Sequence, residues 1–204
     1  MTLSPLFVSR NHNMSPHKPK PAHPHQLHIY TGENKGKTTA AVGLCVRALG
    51  AGKKVVMIQF DKGFDGDYEH YSERNILRKL PGMTLIATGL ERMKSDGKFR
   101  FGVAPGDRKE ALRGLAEARR RIEEGDQDLL VLDEILSAAT YKLVEEKEVN
   151  ELINLYLKNR RCELVLTGRA APKALIEKAD LVTEMKKIKH YFDAGIPARE
   201  GIDY

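Results

Sequence analysis

The sequence predicts an α/β domain with a mostly parallel sheet covered by helices on both faces. Three observations predict it: six short apolar runs, amphipathic helical patterns between them, and one Gly- and Lys-rich turn joining the first run to a helix. The runs are Leu27–Thr31, Val55–Phe60, Met83–Ala87, Leu129–Leu132, Glu163–Thr167 and Leu181–Thr183, each too short for a helix. Most are rich in Val, Ile or Leu without alternation, the pattern of strands buried on both faces of a parallel sheet.

Residues 1–26 precede the first run. They hold five of the nine prolines and four of the seven histidines, so they cannot bury a core and read as a flexible arm. The histidines, His12, His17, His23 and His25, are irregularly spaced, and no Cys or acid completes a metal site. The domain is expected over 27–204. Its first run leads through the turn into a helix passing Ala40, Ala41 and Val42 to about Leu49. Two irregular segments follow the second and third runs, near Asp61–Ser72 and Thr88–Gly106. Loops of such length in a compact domain are lids or binding loops. Asp107 with Glu110 forms a capping box opening a helix that carries Ala111, Leu115, Ala118 and Ile122 on one face. A further helix presents Val149, Leu152, Ile153, Tyr156 and Leu157.

The formal net charge is +6, and half of it sits in the arm as Arg10, Lys18 and Lys20. The remainder is only mildly basic, which suits a phosphate-bearing small ligand better than a nucleic-acid groove. Arg119-Arg120-Arg121 lies beside Glu117, Glu123 and Glu124, the pattern of a solvated helix face. No apolar run reaches the ~18 residues of a membrane span, and Leu6-Phe7-Val8 is too short for a signal peptide. Cys45 and Cys162 lie far apart in apolar stretches and read as core residues in a reducing compartment. The expectation is a soluble, cytoplasmic, single-domain protein without nucleic-acid or membrane partners.

The strongest signal is Thr31-Gly32-Glu33-Asn34-Lys35-Gly36-Lys37-Thr38-Thr39, placed between a strand and a helix. Backbone N–H groups of such a turn point at phosphate oxygens, and the helix N-terminus adds a favourable dipole. Lys37 supplies a charge to the phosphates, and the Thr38 hydroxyl is a ligand for Mg²⁺. Relative to GxxxxGK[ST] the spacing is short by one, so Thr31 stands where the first Gly is usual. The plainer alternative is a turn that only caps a helix. Leu129-Leu130-Val131-Leu132-Asp133-Glu134 adds a buried strand delivering two carboxylates to its C-terminal edge, where open α/β sheets bind ligands. Asp133 would hold a metal's hydration shell, and Glu134 would ligate the metal or act as a base.

These residues resemble the P-loop type of ATP:corrinoid adenosyltransferase. The resemblance rests on the phosphate turn, Gln59-Phe60, Lys62-Gly63, Glu73-Arg74-Asn75, Leu132-Asp133-Glu134, Tyr141 and Thr167-Gly168-Arg169. It continues through Lys189-His190 and Phe192-Asp193-Ala194-Gly195-Ile196 to Gly201-Ile202-Asp203-Tyr204. The resemblance implies a RecA-like sheet, a homodimer, and attack of a Co(I) corrinoid on the 5′ carbon of ATP with release of triphosphate. It implies ATP and a reduced corrinoid (cobalamin or a cobyrinic acid diamide) as substrates, Mg²⁺ or Mn²⁺ as cofactor, and a flavoprotein reductant. It also implies that ATP lies reversed on the loop relative to other P-loop proteins. On this reading Lys35, Lys37, Arg169 and the metal neutralise the leaving triphosphate. Thr38, Asp133 and Glu134 hold the metal, and Lys37, Glu134 and Arg169 form the catalytic set.

Two departures from the family stand out. Asn34 occupies a position that is usually Gly, and Asn tolerates a left-handed backbone. Leu90-Glu91-Arg92 stands where members commonly carry Phe-x-Trp, and the chain has no Trp. Phe99 and Phe101 on the same loop either close over the corrinoid's lower face in their place or anchor the loop. The candidate corrinoid contacts are therefore Lys62, Leu90, Phe99, Phe101 and Asp193. The alternatives in other classes are a kinase or ATPase acting at the γ-phosphate, a nucleic-acid-binding module, and a non-catalytic corrinoid-binding protein.

Overall fold

A computed structural model describes residues 24–64, 66, 68–92, 100 and 102–204. Residues 1–23 of the predicted arm, and both Phe99 and Phe101, lie outside the described residues. All six predicted strands are present: β1 (Leu27–Thr31), β2 (Val55–Gln59), β3 (Met83–Ala87), β4 (Leu129–Asp133), β5 (Glu163–Thr167) and β6 (Leu181–Glu184). They form one sheet in the order β3-β2-β4-β5-β1-β6, and every pairing is parallel. The helices are α1 (Lys37–Gly50), α2 (Arg74–Leu77), α3 (Pro105–Glu124), α4 (Ile135–Thr140), α5 (Glu146–Asn159) and α6 (Lys173–Ile176). A short 3₁₀ turn spans Tyr191–Ala194.

Strand alternation divides the interior into two cores. Val55, Met57, Leu129, Val131 and Val165 meet Ala41, Cys45 and Ala48 of α1 and Leu77 of α2. Val56, Ile58, Leu130, Leu132, Leu164 and Leu166 face the other way, onto Ala111, Ala118 and Ile122 of α3 and onto α4 and α5. β2 and β4 are buried at every residue, which is why their sequences show no polar alternation. This is a RecA-like arrangement with β5 lying between the strand of the phosphate loop and the strand of Asp133.

Helix α3 begins earlier than the sequence suggests. Pro105 takes the first helical position, where a missing N–H costs nothing. Asp107 reaches back to accept a hydrogen bond from the Ala104 N–H at 2.7 Å, while Glu110 pairs instead with Arg113 at 2.7 Å. The domain also gathers its chain slightly before Leu27. The Gln26 N–H donates to Glu163 Oε2 at 3.0 Å, and the Gln26 carbonyl accepts from the Tyr156 hydroxyl at 3.0 Å. Among the described residues no helix is long and apolar enough to cross a membrane.

Candidate active site

The phosphate turn sits at the C-terminal edge of β1. Gly32 and Gly36 adopt φ of +111° and +120°, which side chains with a Cβ rarely tolerate. A Cβ on Gly32 would also collide with the Met185 carbonyl oxygen, because the Met185 N–H donates to the Thr31 carbonyl at 2.8 Å. The Thr31 hydroxyl accepts from the Ala171 N–H at 3.1 Å, so this residue secures the loop from below. Lys37 crosses the turn and donates to the carbonyls of Gly32 (2.7 Å) and Asn34 (2.8 Å). Burial lowers its pKa, and the nearby Arg169 lowers it further against the pull of Glu134. An anion in the turn would relieve that stress.

Asp133 ends β4 with no exposed side-chain surface. Its Oδ1 accepts from the hydroxyls of Thr38 (3.0 Å) and Thr167 (2.7 Å). Its Oδ2 accepts from Lys62 Nζ (2.7 Å) and Gln59 Nε2 (3.3 Å). Burial opposes its charge, yet Lys62 and the two hydroxyls hold its pKa below the usual carboxylate value. Burial likewise opposes the Lys62 charge, and Asp133 outweighs it, raising the ammonium's pKa. Thr38 donates its proton to Asp133 and presents its lone pairs to Lys62. Hydroxyl and carboxylate oxygens converging on a cation are a donor set that suits Mg²⁺ or Mn²⁺. Among the described residues no three His, Cys, Asp or Glu side chains form a metal cluster. A divalent ion here would draw further oxygens from the nucleotide.

Glu134 follows with φ +62°, a left-handed backbone whose N–H is held by the Thr167 hydroxyl at 2.8 Å. Such a conformation at a non-Gly residue concentrates at functional sites. Its side chain lines three neighbouring cavities. The first, about 440 Å³, is the phosphate turn with Glu33–Thr39, Arg169, Lys187, His190 to Asp193, Ala198 and Asp203. The second, about 530 Å³, includes Thr38, Thr39, Lys62, Tyr71, Glu73 and Tyr204. The third, about 660 Å³, is bounded by Phe60, Asp61, Lys62, Tyr71, Arg92, Val103, Ser137, Tyr141 and Arg169.

The structure therefore unites Lys37, Thr38, Thr39, Asp133, Glu134, Arg169 and Lys62. Arg169 lies 3.5 Å from Glu33, with both side chains about half exposed or more, and its N–H donates to Ser137 Oγ at 3.0 Å. Lys35 turns toward the C-terminal tail, with Nζ 3.3 Å from Asp203. Asp203 is also bonded to Tyr191 and Arg199. Asp193 lines the phosphate cavity rather than the largest one and pairs with Lys187 at 3.0 Å. Leu90 is exposed and packs toward Gly106. Arg92, where the aromatic residue was missed, is buried and paired with Asp61 at 2.7 Å, and it donates to the Gly102 carbonyl at 2.9 Å.

Gln59, Arg74 and Thr167 carry no role that the sequence alone assigns. Arg74 is wholly buried, donating to Gln59 Oε1 (2.6 Å), Glu69 Oε1 (3.1 Å) and the Lys62 carbonyl (2.6 Å). Its guanidinium lies over the Tyr71 ring, 4.4 Å from the centroid. Gln59 and Thr167 are each the polar last residue of a buried apolar strand. That signal could have found them, as it found Asp133.

The sequence model of the family described as ATP:corrinoid adenosyltransferase BtuR/CobO/CobP matches residues 24–204. The chain belongs to this family. A corrinoid adenosyltransferase of Escherichia coli is 34% identical over 182 residues, covering 86% of this chain and 84% of that protein. Those of Salmonella typhimurium (32% over 177 residues, 86% and 84%) and Pseudomonas aeruginosa (33% over 181 residues, 87% and 83%) are similar to a like degree. Among solved structures, the flagellar accessory protein FlaH of Methanocaldococcus jannaschii aligns with a TM-score of 0.52 at 18% identity, covering 78% of this chain and 70% of that one. That likeness is one of fold.

Proposed function

We propose that this adenosyltransferase moves the 5′-deoxyadenosyl group of ATP to a Co(I) corrinoid and releases inorganic triphosphate, in making or salvaging an adenosylated corrinoid. The cobalt electron pair forms the Co–C5′ bond, and the C5′–O pair departs on the triphosphate. Formally Co(I) becomes Co(III), so no outside oxidant is needed. The nucleophile belongs to the substrate, and the protein has no proton to remove. Its task is to hold the reactants in line and stabilise the charge that leaves.

The observation that carries this reading is that Glu134 and Arg169 line both the phosphate cavity and the largest, more apolar one. Triphosphate on the turn thus faces a chamber walled by Phe60, Tyr71, Val103 and Tyr141. Lys37 and the loop N–H groups hold the phosphates, and Arg169 meets their departing charge from the β5 side. Thr38, Asp133 and Glu134 would hold Mg²⁺ or Mn²⁺, which supplies further positive charge to the phosphates when bound. A cytoplasmic homodimer served by a flavoprotein reductant, as the sequence resemblance implies, completes the reading. Asp61 and Arg92, paired at 2.7 Å, also line the chamber.

Anaerobic incubation with ATP and chemically reduced cobalamin tests the proposal. The expected result is loss of the Co(I) spectrum with stoichiometric triphosphate. Formation of ADP with an unchanged corrinoid spectrum would replace it with a kinase or ATPase.

A further inference from the structure

Lys62 brings its charge to a position where the donor geometry suits a divalent cation. Its Nζ lies 2.7 Å from Asp133 Oδ2 and 3.0 Å from Thr38 Oγ1. The carboxylate is fully buried and the lysine side chain only 12% exposed. An ammonium and a divalent ion cannot share those two oxygens. A buried carboxylate stripped of its cation is strongly destabilised, so the two cations must exchange rather than leave a gap.

The surroundings allow that exchange. The Lys62 backbone is fixed, its N–H donating to the Thr88 carbonyl at 2.9 Å and its carbonyl accepting from Arg74 at 2.6 Å. The stem is not confined in the same way, because Lys62 lines two of the three cavities. The Tyr71 ring, with its centroid 5.2 Å from Nζ, offers a cation–π surface along the way.

We propose that the Lys62 ammonium is the resident cation of the Thr38–Asp133 seat. It balances Asp133 while no nucleotide is bound and yields the seat to a divalent ion when triphosphate arrives. Its own charge then moves toward the phosphates. Metal entry becomes dependent on nucleotide, and the departing triphosphate meets two cations where the empty protein holds one. This rests on the metal-dependent reading of the site above.

Mn²⁺ binding followed by electron paramagnetic resonance tests it, with ATP present or absent and corrinoid omitted so that nothing turns over. Wild-type protein is expected to bind Mn²⁺ weakly alone and tightly with ATP. Lys62→Met, checked for native thermal unfolding, is expected to bind Mn²⁺ without ATP ~10-fold or more tightly than wild type. Lys62→Gln serves the same purpose while keeping a donor to Asp133. Failure of the folded variants to gain Mn²⁺ affinity, with wild type still binding Mn²⁺ with ATP, would overturn the exchange alone. Absence of Mn²⁺ binding by wild type even with ATP would overturn the metal reading together with it. A crystal structure of wild type with Mn²⁺ and ATP decides the matter if neither variant folds. Lys62 is expected beyond hydrogen-bond distance of Asp133, and retention of that contact would overturn the proposal.

Discussion

Arg74→Met removes a guanidinium with no exposed surface from the start of α2, where it holds the loop that carries Lys62. Gln59 Oε1 and the Lys62 carbonyl lose their donor, while Glu69 Oε1 loses Arg74 but keeps the Tyr71 N–H at 3.2 Å. Glu69 keeps Arg78 at 2.9 Å, so the carboxylate is not left without a cation. Leaving a buried acceptor unsatisfied costs about 1–3 kcal/mol, so Gln59 Oε1 and the Lys62 carbonyl together cost about 2–6 kcal/mol. For a chain of this size each kcal/mol shifts Tm by about 2–4 °C, which gives a fall of about 4–24 °C. Scanning calorimetry measures it. Because Arg74 does not touch the phosphate turn, ATP affinity by calorimetric titration should stay close to wild type. Turnover should fall, since Gln59 and Lys62 both bond Asp133. Arg74→Lys, which keeps the charge without the fork, should fall between the two. A Tm change under about 3 °C, or an ATP affinity lost in parallel with turnover, would refute the reasoning.

Lys37→Ala should weaken ATP binding about 10–100-fold, the worth of a charge-assisted hydrogen bond, and abolish turnover; calorimetric titration and the spectroscopic assay check the two parts. Glu134→Gln should raise the divalent-ion requirement about 10–100-fold while leaving corrinoid affinity unchanged, as metal and corrinoid titrations of the same sample would show. Hydrogen bonds from Arg100 at 2.6 and 2.8 Å hold Asp107 below its ordinary value of 3.8, against burial. Its folded pKa is depressed, so its stabilisation is present above the unfolded value and lost as pH falls through the folded one. Asp107→Asn should therefore flatten the acid limb of Tm below about pH 4. Burial pushes the Cys45 thiol up to about 12 and raises Cys162 as well. Neither should react with Ellman's reagent near pH 8 until denaturant is added.

The sequence by itself determined the features whose information is local. Unbroken apolar runs such as Val55–Ile58 have no polar face to expose, so they mark strands covered on both sides. The phosphate turn was legible because left-handed glycines, a lysine and a hydroxyl must occur within a few residues of one another. Asp133 was legible as a carboxylate at the end of an apolar strand. Even here local chemistry misled once, since Asp107 looks like a helix start when Pro105 has already taken it.

Only the tertiary structure decided the partners of the buried charges. Each such charge demands a counter-charge or hydrogen bonds, but the chain path selects which residue supplies them. The strand order sets β5 between β1 and β4, and so brings Thr167 to Asp133. Loop closure brings Lys62 to the same carboxylate and Arg92 to Asp61, 31 positions away. The C-terminal tail returns to Lys35 across 167 positions. Secondary structure follows from neighbours in sequence, whereas the electrostatics of this site follow from neighbours in space.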